Sequence, residues 1–171
     1  DPQHAVPVRG PVCVPLLCAD RARGAVAAVH AGWRGTAARA AVAGLAALER
    51  AFGTRPSHAV VAIGPSIGPG CYEVGSELVD AFAAAGHGRH LIDRWFTSRP
   101  VSDSRFQRRV QGSQRLDVAG ANRDQLLLAG VPEEQIHVAG LCTAMHLDVP
   151  TSYRAEKEKA GRMAAAIKVA G

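Results

Sequence analysis

An apolar run that breaks on glycine and resumes at helical spacing constrains this chain more than any other stretch. Ala25, Val26, Ala27, Ala28 and Val29 read as a buried strand. His30-Ala31-Gly32-Trp33-Arg34-Gly35 follows, and Val42, Leu45, Leu48 and Phe52 then recur on one stripe of a helix expected over residues 36–52, with Gly53 as its stop. Strand, glycine-rich turn and helix start in direct succession are the unit of open α/β folds. Ligands collect at such junctions, because free backbone N–H groups and the positive end of the helix dipole point outward there. His30 and Arg34 are therefore expected to face a cleft.

The rest of the chain supplies partners for that strand. Residues 12–18 form a second strand across the polar turn Asp20-Arg21-Ala22-Arg23, and residues 58–63 a third. Residues 64–70 cannot be helical, since Pro65 and Pro69 lack the N–H and the glycines favour loop geometry. Ser76 is expected to cap a helix running to about Ala85. Residues 87–114, rich in Arg, Ser and Gln, read as a long excursion with partial disorder. A helix at 116–129, a strand at 135–141 and an apolar segment at 162–169 complete the order. This succession predicts an α/β fold: a single layered domain over residues 1–171 with a mixed β-sheet flanked by helices. Hydrophobic residues reach 47% with only 5% aromatics, so the core must be built mainly from Ala, Val, Leu and Ile.

Composition narrows the function classes. The net charge of +5 reads as a solvated surface or as affinity for an anionic small molecule such as phosphate. No Lys/Arg run with interleaved aromatics points to nucleic acid. No apolar run approaches the ~20 residues of a membrane span, and Asp1-Pro2-Gln3-His4 has no signal-peptide pattern, so a cytoplasmic location is expected. Four cysteines in apolar contexts suit a reducing compartment better than a disulfide framework.

Strand alternation puts Cys13, Pro15 and Leu17 on one face and Val14, Leu16 and Cys18 on the other, so Cys13 and Cys18 are poor partners for one metal. Cys13 and His30 sit on neighbouring strands, where a thiolate and an imidazole suit zinc; a buried cysteine and a hydrogen-bonded histidine fit the same spacing. Arg34, with the N–H groups of Gly35, Thr36 and Ala37, is a candidate phosphate site, or else pairs with a surface carboxylate. Cys71 is a candidate pocket wall or nucleophile. Asn122 and Gln125 fall three apart on one helix face, which suits a polar ligand or surface capping. Cys142 ends an apolar strand and reads as core. His58, His87, His90, His137 and His146 show no ligand-like grouping and read as solvent-facing or structural.

Val29-His30-Ala31-Gly32-Trp33-Arg34-Gly35 resembles a signature of the laccase-domain family, often named multicopper polyphenol oxidoreductases. Gly64-Pro65-Ser66-Ile67-Gly68-Pro69-Gly70-Cys71-Tyr72-Glu73-Val74-Gly75, Ala119-Gly120-Ala121-Asn122-Arg123-Asp124-Gln125-Leu126, Gly140-Leu141-Cys142-Thr143 and Ser152-Tyr153-Arg154 agree with it in order. The resemblance implies zinc-dependent phosphorolysis of adenosine and inosine, with adenosine deaminase and methylthioadenosine phosphorylase activity. It makes Cys13 and His30 zinc ligands, and Cys71, Asn122, Gln125, Ser152 and Arg154 substrate contacts. Two departures stand out. The family's third ligand is a histidine in an upstream Asn-Gln-Val-His-Gly type motif, absent here, for which His4 is a poor substitute, and Pro11-Val12 replace the usual Ala-Asp before the ligand cysteine. The chain is thus expected to lack the family's N-terminal segment or to have lost the metal. Copper-dependent phenol oxidation, implied by the older name, fits less well, because the sequence has no His-x-His pair. Peptidoglycan-precursor quality control, a role tied to some relatives, is a third, non-catalytic reading.

Overall fold

The computed structural model describes residues 5–10, 13–98, 113–145 and 163–169. After β1 (Val6–Gly10), strands β2 (Val14–Asp20) and β3 (Ala25–Ala31) form an antiparallel hairpin with Val14 opposite Ala31 and Asp20 opposite Ala25. Asp20 closes its turn: Oδ1 accepts the N–H groups of Ala22 and Arg23 at 3.0 and 3.2 Å, and Gly24 takes the left-handed φ of 58°. The alternation predicted for β2 is present, with Val14, Leu16 and Cys18 buried.

A helical segment follows β3, but it is broken where a continuous helix is expected. It divides into α1 (Trp33–Ala37) and α2 (Ala40–Phe52), separated by Arg39 in the left-handed region at φ 57°. That conformation costs a non-glycine residue about 1–2 kcal/mol. The Arg39 guanidinium offsets it by donating to the carbonyls of Ala85 and Gly86 at 2.8 and 3.0 Å, which are a chain turn 46 and 47 residues away. Ala41, Leu45 and Leu48 of α2 are buried, and Phe52 in the last turn is left exposed, so the packed stripe is shorter than the spacing predicts. Gly53 ends the helix in the left-handed conformation, as expected.

Strand β4 (Val60–Ile63) pairs antiparallel with the other edge of β2. Next come β5 (Glu73–Val74), α3 (Ser76–Ala84), α4 (Arg89–Trp95), β6 (Phe96–Thr97), β7 (Gln114–Leu116) and α5 (Val118–Leu128). Strand β8 (Ile136–Val138) adds parallel to β4, giving a mixed sheet in the order β3-β2-β4-β8. Strand β9 (Met163–Ile167) pairs with β1, and β5-β7-β6 form a small antiparallel sheet. The mixed α/β architecture is the one predicted.

Local readings need three corrections. Gly75, not Ser76, is the N-cap residue of α3, and no side chain caps that helix. Residues 87–98 are ordered by α4 and β6 instead of forming an irregular excursion. The signal was short: only Ile92 and Trp95 of α4 are buried, between Arg, His and Asp, while residues 99–112 lie outside the described set. Strand β8 is shorter than residues 135–141, since Gly140 turns the chain at φ 67°.

Behind α1 lies a buried polar-aromatic cluster. His87 Nε2 donates to the Ala37 carbonyl at 2.8 Å, and its ring packs on Phe82 and Trp95 at 5.4 and 5.2 Å. Trp95 Nε1 donates to Asp124 Oδ2 at 2.9 Å. Burial lowers the His87 pKa from its ordinary 6.5, so the folded state holds the neutral ring and the unfolded chain takes up a proton more readily. Stability is expected to fall as pH drops through and below that value. Thermal melts between about pH 8 and pH 5 check this: His87→Gln should flatten the acid-side loss, and an unchanged pH dependence would assign it to other groups.

Candidate functional site

The hairpin register builds the site. Pro15 lies opposite His30 and Val14 opposite Ala31, which brings Cys13 level with Gly32. A Cβ placed on Gly32 would lie 2.9 Å from Cys13 Sγ, closer than real side chains approach, so glycine is what lets the thiol sit there. An open cavity of about 420 Å³ results, walled by Cys13, His30, Trp33, Arg34, Tyr72 and Val118, with Gly32 and Gly35 in its backbone. Three residues singled out from the sequence, Cys13, His30 and Arg34, therefore meet in one place. Trp33, Tyr72 and Val118 were not singled out there. Trp33 and Tyr72 lie inside the motifs quoted, but nothing in a linear pattern shows that residue 72 reaches residue 33.

The chemistry of the cavity is mixed. Cys13 is half-buried and burial pushes its thiol pKa above the ordinary 9.0, while His30 and Arg34 are exposed. The Arg34 guanidinium carbon lies over the Trp33 ring, 4.3 Å from its centroid, a cation–π contact between adjacent residues. The expected backbone cradle is smaller than predicted, because Thr36 N–H already donates to the Gly32 carbonyl at 2.8 Å and Thr36 and Ala37 are buried. Among the residues that wall the cavity, Arg34 carries the fixed positive charge. Among the described residues, no three His, Cys, Asp or Glu side chains converge as a metal site.

Asn122 and Gln125 have another place. Asn122 Nδ2 donates to Thr36 Oγ1 and to the Val118 carbonyl, both at 2.8 Å, and Gln125 Nε2 donates to the Thr36 carbonyl at 2.9 Å. Both residues are buried, and they tie α5 to α1 instead of walling the cavity. Cys71 is buried within the Gly/Pro turn, and the residue that walls the cavity is its neighbour Tyr72. Cys142 accepts the Gly68 N–H at 3.2 Å, where the loop bridges Ser66 to Cys142. Cys18 is fully buried, its thiol pushed up to about 11 by burial. His58, His90 and His137 are exposed. His4, His146, Ser152, Tyr153 and Arg154 lie outside the described residues.

The family described as "Multi-copper polyphenol oxidoreductase laccase" matches residues 1–170. The chain belongs to this laccase family. A protein of Bacteroides thetaiotaomicron named "Purine nucleoside phosphorylase" is 35% identical over 169 residues, which is 99% of this chain and 58% of that protein. "Adenosine deaminase RL5", from an unknown prokaryotic organism, is 35% identical over 77% of this chain and 45% of its own length. Among solved structures, YlmD from Geobacillus stearothermophilus aligns with a TM-score of 0.77 at 34% identity, over 96% of this chain and 57% of that one. The laccase-family chain thus spans about half the length of these relatives. Among its described residues, no helix is long and apolar enough to cross a membrane.

The Gly32–Cys13 contact gives a direct test. Gly32→Ala is expected to lower unfolding free energy by about 1–3 kcal/mol, measured in denaturant on metal-free protein. Cys13→Ala in the same chain should recover much of it, because the Cys13 Cβ lies 3.7 Å from the new methyl position, an ordinary contact. Strictly additive losses in the double variant would show that the thiol is not the obstacle.

Proposed function

We propose that this chain carries the catalytic residues of a zinc-dependent purine nucleoside phosphorylase that also deaminates adenosine and phosphorolyses methylthioadenosine. The convergence of Cys13, His30 and Arg34 on one open cavity carries the reading, and the names of relatives at 35% identity support it. The donors present fit zinc: a thiol and an imidazole are a soft and a borderline ligand. They make up two of the three protein ligands of a catalytic zinc site, and the third belongs outside the described residues. Zinc bound there supplies Lewis-acid polarisation of substrate or water.

The chain's own residues then divide the work. Cys13 and His30 hold the cation, the thiol occupying the space that Gly32 leaves open. Arg34 offers its N–H groups to inorganic phosphate from the exposed rim, its charge held over the Trp33 ring. In phosphorolysis a phosphate oxygen bonds to C1′ as the bond from C1′ to the base nitrogen breaks. The electron pair leaves with the base, yielding free base and ribose 1-phosphate. In deamination water adds at C6 of adenosine and ammonia departs, so that reaction makes no use of a phosphate site. Trp33 and Tyr72 give the cavity aromatic surface for a planar base.

Two measurements test the assignment. Full-length protein should bind about one zinc per chain, and Cys13→Ala or His30→Ala should remove most of it by elemental analysis. Stoichiometric metal in both variants would reject these ligands. Arg34→Lys keeps the charge but loses the planar fork, so phosphorolysis should lose about 1–3 kcal/mol of transition-state stabilisation, with a smaller loss in deamination. Base release from inosine with phosphate and inosine formation from adenosine without it, assayed side by side, compare the two. Equal losses would give Arg34 a role in holding the nucleoside or the fold.

A further inference from the structure

Arg115 is a buried charged side chain that does not line the cavity. It sits in the middle strand of the small sheet, opposite Glu73 on one side and Thr97 on the other. Cross-strand partners share a face, so these three form a row. Arg115 is nevertheless only 9% exposed, and burying a guanidinium costs free energy that an apolar side chain of similar volume would not. Its Nη1 donates to the carbonyl of Gly70.

Gly70 belongs to the turn that delivers Tyr72 to the cavity. The N–H groups of Cys71 and Tyr72 both donate to the Gly68 carbonyl, at 2.9 and 3.1 Å, and Leu116 N–H donates to the Tyr72 carbonyl at 3.1 Å. The Gly68 N–H is held in turn by Cys142 Sγ. Strand β7 therefore grips the turn twice in adjacent residues, through the Leu116 backbone at Tyr72 and the Arg115 side chain at Gly70. Of the three residues before Cys71 two are glycines without side chains and one is proline without an N–H, and the guanidinium supplies a charge-assisted bond to the carbonyl of the last of them. Inside the cavity one face of Trp33 is already covered by Arg34. Tyr72 is the other aromatic side chain in the wall.

We propose that Arg115 is a positioning residue for base recognition: by holding Gly70 it fixes Tyr72 in the cavity wall, and the planar base of the nucleoside rests on Tyr72. This rests on the nucleoside reading above and adds a specificity element to it. Arg115 touches no reacting atom, so its loss acts on substrate binding and leaves the bond-breaking step nearly intact.

The test uses full-length protein, inosine with inorganic phosphate, and three variants. Arg115→Met should raise KM for inosine about tenfold with kcat within about twofold, and Arg115→Lys should recover part of the KM. Amide hydrogen exchange over residues 68–72 should quicken in Arg115→Met, with β2 and β4 unchanged. A fall in kcat at constant KM would mark a loss of folded enzyme only and overturn the proposal. So would unchanged exchange in the turn, or an equal KM rise in Glu73→Gln, which would make Arg115 a charge partner of Glu73. Wild-type protein that turns over no nucleoside would reject the functional reading and base recognition together. Active wild type with an unaltered KM in Arg115→Met would reject this inference alone.

Discussion

The antiparallel ladder between β2 and β3 is the constraint on which the cavity depends. Because side chains alternate with a period of two, one register satisfies both the buried face of Val14, Leu16 and Cys18 and the placement of Cys13 beside Gly32. A slip by one residue would turn the buried set outward and carry the thiol away from His30 and Arg34. Core burial and site geometry are thus fixed by the same hydrogen bonds. The turn at Asp20 and Gly24 sets that register from one end.

A second layer of polar contacts places α1 on that hairpin. α1 has five residues, too few to be stable as an isolated helix. It is held from outside by Asn122 and Gln125, and its end by His87 at the Ala37 carbonyl. The arrangement has a cost: among the described residues, Asn122 Oδ1 and Gln125 Oε1 are buried without a hydrogen-bond partner, which opposes part of the gain from their N–H donors. Apolar side chains at 122 and 125 would avoid that cost but would leave the Thr36 carbonyl and hydroxyl without those donors. The buried amides define a position for the helix that carries Arg34.

Family membership and the structure bear on different questions. The match over residues 1–170 and the alignment with YlmD place the chain's fold and lineage. The cavity shows which of its side chains meet. It brings a thiol, an imidazole and a guanidinium together from the start of one strand, the end of the next and the first turn of a helix.

Much of this was legible in the residues. The apolar run at 12–18, the glycine break after Val29 and the proline-bearing loop at 64–70 each follow from short-range sterics, so the sequence alone determined the hairpin, the strand-turn-helix unit and the loop. It also determined that Cys13, His30 and Arg34 would be candidates, since their chemistry and spacing are local. Tertiary structure decided what lies beyond that range. The break at Arg39 depends on carbonyls 46 and 47 residues away. Helix α4 survives on two buried anchors and the Trp95–Asp124 bond. Asn122 and Gln125 look like ligand contacts until Thr36, 86 and 89 residues distant, takes their N–H groups. Hydrogen-bond donors do not encode their acceptors in sequence order; only the folded chain brings the two within 3 Å.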